Sequence, residues 1–169
     1  MHNSSFEEMK KFVEKYLDTK KNLKIIDIGS MDVNGTYKDL FNCENWEYIG
    51  LDLEEGRNVD LVADSLYSWG GEDESFDVVI SGQCLEHVKN THLWIKEVAR
   101  IVKKGGIVCI IAPWSFTEHR FPVDCWRILP DGMRFLLEEI AGLEVIDVYH
   151  NAPLMDCIGI AKKYRHIDE

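Results

Sequence analysis

The sequence predicts a doubly wound α/β domain, a parallel twisted sheet covered by helices on both faces. Apolar runs of strand length alternate with helical periodicities along most of the 169 residues. The first strand runs into a glycine-bearing turn and the second ends on a carboxylate. That arrangement places a ligand beyond the carboxyl ends of the strands, where strand order reverses. A composition of 46% hydrophobic and 29% charged residues supports one sizeable core. No stretch reads as a linker, repeat or low-complexity tract, so 1–169 is read as a single domain.

The elements follow in order. Phe6, Met9, Phe12, Val13, Tyr16 and Leu17 recur at helical spacing, and Ser5 with Glu8 fits a capping box, which predicts an amphipathic helix within 1–20. Leu23 to Ile28 reads as a buried strand turning at Gly29. Thr36 to Phe41 reads as a short helix, Glu47 to Asp52 as the second strand and Leu61 to Asp64 as a brief third. Between Asp52 and Asp60 there is less chain than the about a dozen residues of a helical crossover, so an irregular loop is expected there. Phe76 to Ser81 is the fourth strand. A helix follows through Leu93, Trp94, Ile95, Val98, Ile101 and Val102, with Asn90 as its N-cap.

Lys103-Lys104-Gly105-Gly106 is expected to close that helix, with cations at the negative dipole end and glycine for a left-handed cap. Gly106 to Ala112 is the fifth strand. Met133, Leu136, Leu137 and Ile140 mark another helix, and Leu143 to Tyr149 and Cys157 to Ala161 the closing strands. Trp114 to Leu129 has no periodicity and follows the fifth strand, so 114–130 is read as the substrate-side loop.

Composition narrows the partners. Nineteen Lys and Arg against 30 Asp and Glu give a formal charge of -11, so a phosphate backbone would meet repulsion over most of the surface and nucleic acid is not expected as a partner. The longest apolar runs fall far short of the ~20 residues that span a bilayer, and the first residues do not read as a signal peptide, so no membrane partner and a cytoplasmic location are expected. Cys43, Cys84, Cys109, Cys125 and Cys157 form an odd, scattered set without a Cys-x-x-Cys pair. They read as reduced thiols, with neither a disulfide scaffold nor a metal site. The closing Lys162-Lys163-Tyr164-Arg165-His166 reads as a solvated end.

The turn after the first strand carries the chemistry. Gly29 allows a tight approach of backbone to ligand, and Asp52 at the next strand's end can accept two hydrogen bonds from ribose hydroxyls, which together describe an adenosine site. A dinucleotide fingerprint fails, because Met31 and Asn34 stand where its second and third glycines belong. Asp27 and Asp32 would also repel a pyrophosphate. A cationic or zwitterionic ligand fits better, which disfavours a nicotinamide-dependent oxidoreductase.

With Ile25-Ile26-Asp27-Ile28-Gly29-Ser30, Tyr48-Ile49-Gly50-Leu51-Asp52-Leu53, Val62-Ala63-Asp64, Phe76 to Ser81, Leu85-Glu86-His87-Val88 and Leu93 to Pro113 in this order, the sequence resembles the class I S-adenosylmethionine-dependent methyltransferases, of the small type-11-like kind. The resemblance implies a three-layer Rossmann-like sandwich, with a seven-stranded, mostly parallel sheet whose last strand is antiparallel. It implies S-adenosylmethionine as cofactor. Gly29 and Ser30 would line the methionine moiety, Asp52 with Leu53 would hold the ribose side, Asp64 would face the adenine amino group, and Ser81, Gly82 and Gln83 would close over the amino acid end. Asp27 would contact the cofactor amine directly or through water. Met31 departs from the family's usual glycine. Glu86 and His87 form a pair that is mostly structural in the family.

The loop after the fifth strand gathers Trp114, His119, Arg120, Asp124 and Arg127. It resembles the corresponding loop of small methyltransferases acting on glycans and secondary metabolites. Methyl transfer from a sulfonium is an in-line displacement, so positioning dominates and a base is needed only when the acceptor must lose a proton. His119 is the first candidate base and Asp124 the second; Trp114, His119, Arg120 and Arg127 are the candidate substrate contacts. The equally plain reading makes this loop a packed cover, with His119 and Asp124 bonding it to itself. The expected reaction is methylation of a small-molecule or glycan-type acceptor, at oxygen. The alternative is a non-catalytic cofactor-binding or partner subunit. So short a cap suggests that a homodimer or partner helps to wall the site.

Overall fold

In the computed structural model, which describes residues 3–164, the chain forms a seven-stranded sheet. Its elements are α1 (Asn3–Tyr16), β1 (Leu23–Ile28), β2 (Trp46–Asp52), β3 (Leu61–Val62), β4 (Phe76–Gly82), α2 (Thr91–Ile101), β5 (Val102–Pro113), α3 (Pro130–Phe135), β6 (Glu144–His150) and β7 (Asp156–Lys162). The strand order is β3-β2-β1-β4-β5-β7-β6. The β3-β2-β1-β4-β5 pairs are parallel, and β7 runs antiparallel to both β5 and β6. Strand order reverses between β1 and β4, so their carboxyl ends flank the crevice where such sheets bind ligands.

Alternation along the strands sorts the core into two layers. Ile26, Ile28, Val79, Val108 and Ile110 pack with Trp94, Ile95 and Val98 of α2 and with Met133 of α3. Ile25, Val78, Ile80, Cys109 and Ile160 face the other way, onto Met9 and Phe12 of α1 and Tyr37 and Phe41. Period-2 side chains buried on both faces are what a parallel sheet with helices on each side requires.

Two of the crossovers lack helices. From β2 to β3 the chain is an irregular loop, as its length predicts. From β3 to β4 the connection is pinned instead by Trp69, which lies edge-on to Trp94 at 5.7 Å. Arg100 donates to the carbonyl oxygen of Gly70 at 3.0 Å and binds Glu97 and Asp73. The stretch read as a helix at Thr36 to Phe41 is a single 3-10 turn, Lys38–Phe41. The helix read from Met133 to Ile140 is α3 continued by one wider π turn, Leu136–Ile140.

Several local expectations are corrected. Ser5 and Glu8 form no capping box, because α1 already begins at Asn3 and both side chains face inward: Ser5 bonds the Tyr37 hydroxyl, and Glu8 accepts from Tyr149 at 2.7 Å and Lys11 at 2.8 Å. Lys103 to Gly106 do not close α2, which ends at Ile101. Its free carbonyls are taken by the amides of Glu74 and Ser75, and Lys163, just past β7, reaches the carbonyls of Ala99 and of Val102, the first residue of β5, at 2.7 and 3.1 Å. Lys163 also pairs with Glu74, so it is tied down rather than solvated; Arg165 and His166 lie outside the described residues. Asn90 does cap α2, accepting from the amide of Leu93 at 3.1 Å.

The β7–α3 contact gives a direct test of packing. A Cβ added at Gly159 would sit 2.5 Å from Met133 Cγ and 2.8 Å from Leu137 Cδ1, whereas one at Gly132 meets nothing within 4 Å. Gly159→Ala is therefore expected to lower stability by about 1–3 kcal/mol. Gly132→Ala, inside α3, is expected to raise it by about 0.5–1 kcal/mol. Urea midpoints at constant m-value check both; equal shifts would contradict the close contact.

Candidate active site

The cofactor side of the crevice is built by backbone geometry. Gly29 has φ +77°, and a Cβ there would lie 2.8 Å from Cys84 Sγ, so only glycine lets β1 turn against the segment after β4. The turn is then held by Asp52, which accepts the amide of Met31 at 2.9 Å and that of Leu53 at 2.7 Å. A carboxylate offers about four lone-pair sites, so two remain for other donors. The Met31 side chain packs against Gly56, where an added Cβ would lie 3.1 Å from Met31 Cε. The departure from glycine is thus absorbed by a neighbouring glycine.

Beneath the turn lies a polar chain that sequence reading did not find. Asn58, in a left-handed conformation, donates to the carbonyl of Ser30 and to the Tyr48 hydroxyl at 2.9 Å each, and Tyr48 donates to Asp27 at 2.6 Å. Ser30 in turn donates to the carbonyl of Asn58 at 2.8 Å. Asp27 is buried. Desolvation, reinforced by the charge of Asp52 and opposed by the Tyr48 bond, pushes it up to about 7. An Asn in a loop between two strands carries no periodicity or motif, so only the folded contacts reveal it.

The other expected cofactor residues fall into two groups. Leu53 and Asp64 are exposed around the β2 and β3 ends, beside the exposed apolar Leu61 and Val62. Ser81 is buried and donates to the carbonyl of Ile28 at 2.8 Å. Gln83, at φ 59°, donates to the buried Asp156 at 2.7 Å. Gly82 lies against Tyr37, whose hydroxyl a Cβ would strike. From this trio the crevice therefore receives backbone rather than side chains.

Where the acceptor is expected, residues 114–129 form no helix or strand. They are fastened to the segment after β4: the carbonyl of Glu86 accepts the amides of Cys125 and Trp126, Trp126 Nε1 donates to the carbonyl of Val88 at 2.7 Å, and His87 Nδ1 bonds the carbonyl of Val123 at 2.6 Å. Arg127 spans the loop, gripping Asp124 through both guanidinium nitrogens at 2.6 and 2.8 Å and donating to the carbonyls of Phe116 and Thr117. That grip holds the Asp124 carboxyl well below the usual carboxylate range. Asp124 also accepts the amide of His119 at 2.7 Å. Arg120 is exposed and pairs with Glu118, and Trp114 donates to the carbonyl of Leu154. The loop's outer face carries a depression of about 320 Å³ lined by Phe116, Glu118, Asp124, Cys125, Trp126 and Arg127. A larger open groove, about 670 Å³, lies along Lys11, Glu14, Lys15, Asp147 and Tyr149, between α1 and β6 and apart from these residues.

Between the two sides stands Glu86, fully buried, with neither carboxylate oxygen hydrogen-bonded. Desolvation pushes it up to about 7, the Asp124 charge adding to the effect. Burial lowers the pKa of its neighbour His87. The imidazoles of His87 and His119 pack edge to face at 5.0 Å, and the Phe116 ring also meets His119 edge to face at 5.0 Å.

A crevice with a glycine turn, a β2-terminal carboxylate and this strand order defines a class I S-adenosylmethionine-dependent methyltransferase domain. Residues 26–110 match the family model described as a methyltransferase domain, half of the chain, and the chain belongs to that family. Its fold is similar to a Burkholderia thailandensis 1,6-didemethyltoxoflavin-N1-methyltransferase solved with S-adenosylhomocysteine, at TM-score 0.73 and 16% identity over 96% of this chain and 79% of that one. It is also similar to a Methanosarcina mazei S-adenosylmethionine-dependent methyltransferase, at TM-score 0.68 and 15% identity over 90% and 97%. Among curated proteins, a chloroplastic 2-methyl-6-phytyl-1,4-hydroquinone methyltransferase of rice is 27% identical over 68% of this chain and 38% of its own length. The chain covers well under half of each curated relative it matches. Among the described residues no helix is long and apolar enough to cross a membrane.

The elevated Asp27 sets a pH dependence. Its folded value of about 7 lies above the unfolded ~3.9, so folding favours the protonated form. The stability it contributes is complete below about pH 4 and is lost as pH rises through 7. Asp27→Asn keeps the shape and removes the titration. The stability difference between wild type and variant should therefore shift by a few kcal/mol in the variant's favour between about pH 5 and 8. Parallel urea-midpoint profiles across that range would contradict the assignment.

Proposed function

We propose that the protein transfers the methyl group of S-adenosylmethionine to an oxygen of a small-molecule or glycan-type acceptor. The observation that carries the cofactor half is the turn at Gly29 facing the Asp52 carboxylate, with its two spare lone-pair sites beside exposed Leu53, Leu61 and Val62. Asp52 would take the ribose hydroxyls, the apolar edge and Asp64 the adenine, and the backbone of Gly29 and Gly82 the methionine moiety. Asp27 would face the amine through the Tyr48 chain. The residues fit the group: a cationic, phosphate-free ligand suits a crevice lined by acids.

In the transfer the S–CH3 bond breaks as the O–CH3 bond forms, the sulfonium becomes a neutral thioether, and the acceptor's hydroxyl proton must leave. Asp124, committed to Arg127, is a poor acceptor for that proton. The cluster of Glu86, His87 and His119 is the part of the wall with uncommitted acceptor atoms, and we assign the deprotonation to it. Arg127 and Asp124 then position His119. Relatives named for hydroquinone and ubiquinone methylation support a small hydroxylated acceptor. No observation adds weight to a second copy of the chain in the site.

Calorimetric titration with S-adenosylmethionine and S-adenosylhomocysteine, with NAD as control, tests the cofactor half; micromolar binding of the first two and none of NAD is expected. Asp52→Ala should cost about 1.5–3 kcal/mol of that affinity. His119→Ala should leave affinity within severalfold and abolish turnover on a hydroxylated acceptor. Binding without turnover on any acceptor would instead favour a non-catalytic cofactor-binding subunit.

A further inference from the structure

We propose that Glu86, His87 and His119 are the protein ligands of a divalent transition-metal ion. Their candidate ligand atoms lie within 4.8 Å of one another. Glu86 Oε1 is 3.6 Å from His87 Nε2 and 3.8 Å from His119 Nε2, beyond hydrogen-bond reach of either. The carboxylate is fully buried and both its oxygens lack hydrogen-bond partners, although it is aimed at the two imidazoles.

The hydrogens make the case sharper. His87 Nδ1 sits 2.6 Å from the carbonyl of Val123, which can only accept, so Nδ1 carries the hydrogen and Nε2 a lone pair. His119 Nδ1 lies 3.3 Å from the carbonyl of Thr117 and 3.5 Å from Asp124 Oδ2, again acceptors only. Two imidazole lone pairs and a carboxylate oxygen therefore converge, and neither ring donates a hydrogen between them. A cation resolves that convergence. Metal-bound histidines donate their other ring N–H to a carbonyl or carboxylate, which is how both imidazoles are backed here. Ligands at about 2.0–2.2 Å from a metal require only a modest contraction of the separations seen.

Two histidines and one carboxylate form a borderline donor set suited to zinc, iron or cobalt, and leave coordination positions open. His119 is one-third exposed, so the open side faces the surface where an acceptor would enter. If the methyl-transfer reading holds, an ion here would polarise the acceptor hydroxyl and ease its proton loss to the uncoordinated Glu86 oxygen or to water, in place of direct removal by an imidazole. Binding of the ion itself does not depend on that reading.

The test uses the full chain carrying Cys125→Ser, to remove an exposed thiol from the same loop, stripped with chelator and titrated with zinc in calorimetry and with cobalt in absorption. One zinc per chain and a saturable cobalt spectrum are expected, without cofactor or acceptor. Glu86→Gln and His119→Ala should each weaken zinc binding at least tenfold, and Asp124→Asn, which acts through His119, by about 10–100-fold. His119→Ala lies outside every helix and strand and keeps the test readable if Glu86→Gln lowers stability. No saturable zinc binding, or full affinity in either folded variant, would overturn the proposal. Zinc binding with no binding of S-adenosylmethionine would sustain the metal site while overturning the functional reading.

Discussion

The rim of the crevice depends on one seam, where the segment after β4 is stitched to the loop after β5. Residues 114–129 have no ladder or helix of their own, so their backbone groups must find partners elsewhere or remain solvated. The carbonyl of Glu86 takes two loop amides, His87 takes the carbonyl of Val123, and Trp126 reaches back to Val88. Arg127 closes the loop on itself through Asp124. The same seam that fixes the loop also aims the side chains of Glu86, His87 and His119 at one another. Architecture and chemistry here share their hydrogen bonds.

The cofactor side is organised differently. It rests on the parallel register of β1 with β2 and β4, which carries Gly29, Asp52 and Gly82 to one end of the sheet with little help from side chains. Two buried carboxylates, Asp27 and Glu86, mark the two sides, and desolvation raises both to about 7. Asp27 has a hydroxyl donor in Tyr48, itself supported by Asn58. Neither carboxylate oxygen of Glu86 has a side-chain hydrogen-bond donor among the described residues. A buried anion without a partner is costly, and such groups persist where a proton, a cation or a substrate completes them.

How much of this was legible follows from the range of each interaction. The strands and the tight turn at Gly29 were readable because they rest on period-2 burial and on a turn that demands glycine, both local signals, while the seven-stranded sheet with its antiparallel last strand was expected only from the family resemblance. The capping box was misread because Ser5 and Glu8 are drawn inward by Tyr37 and Tyr149, residues far along the chain, and a tertiary partner outweighs a local cap worth ~1 kcal/mol. The closing of α2 was misplaced for the same reason: its cation is Lys163, just past β7. Glu86 and His87 were visible as a pair, but their convergence with His119 depends on the loop's path, which has no periodicity to read. Asn58 gave no signal.

This division of labour suits a short chain. Displacement at a sulfonium methyl asks mainly for alignment, and alignment is supplied cheaply by rigid strand ends. Handling an acceptor's proton would ask for chemistry, and the irregular loop after β5, stitched to the segment after β4, brings polar side chains together there. Such a loop can hold reactive groups at fixed distances only if its own polar groups are spent on restraint. Arg127 and Asp124 illustrate the cost: two charged residues that look free in the sequence are consumed in keeping His119 where it stands. What remains uncommitted is small and concentrated around the buried Glu86, whereas Arg120 is exposed and pairs with Glu118.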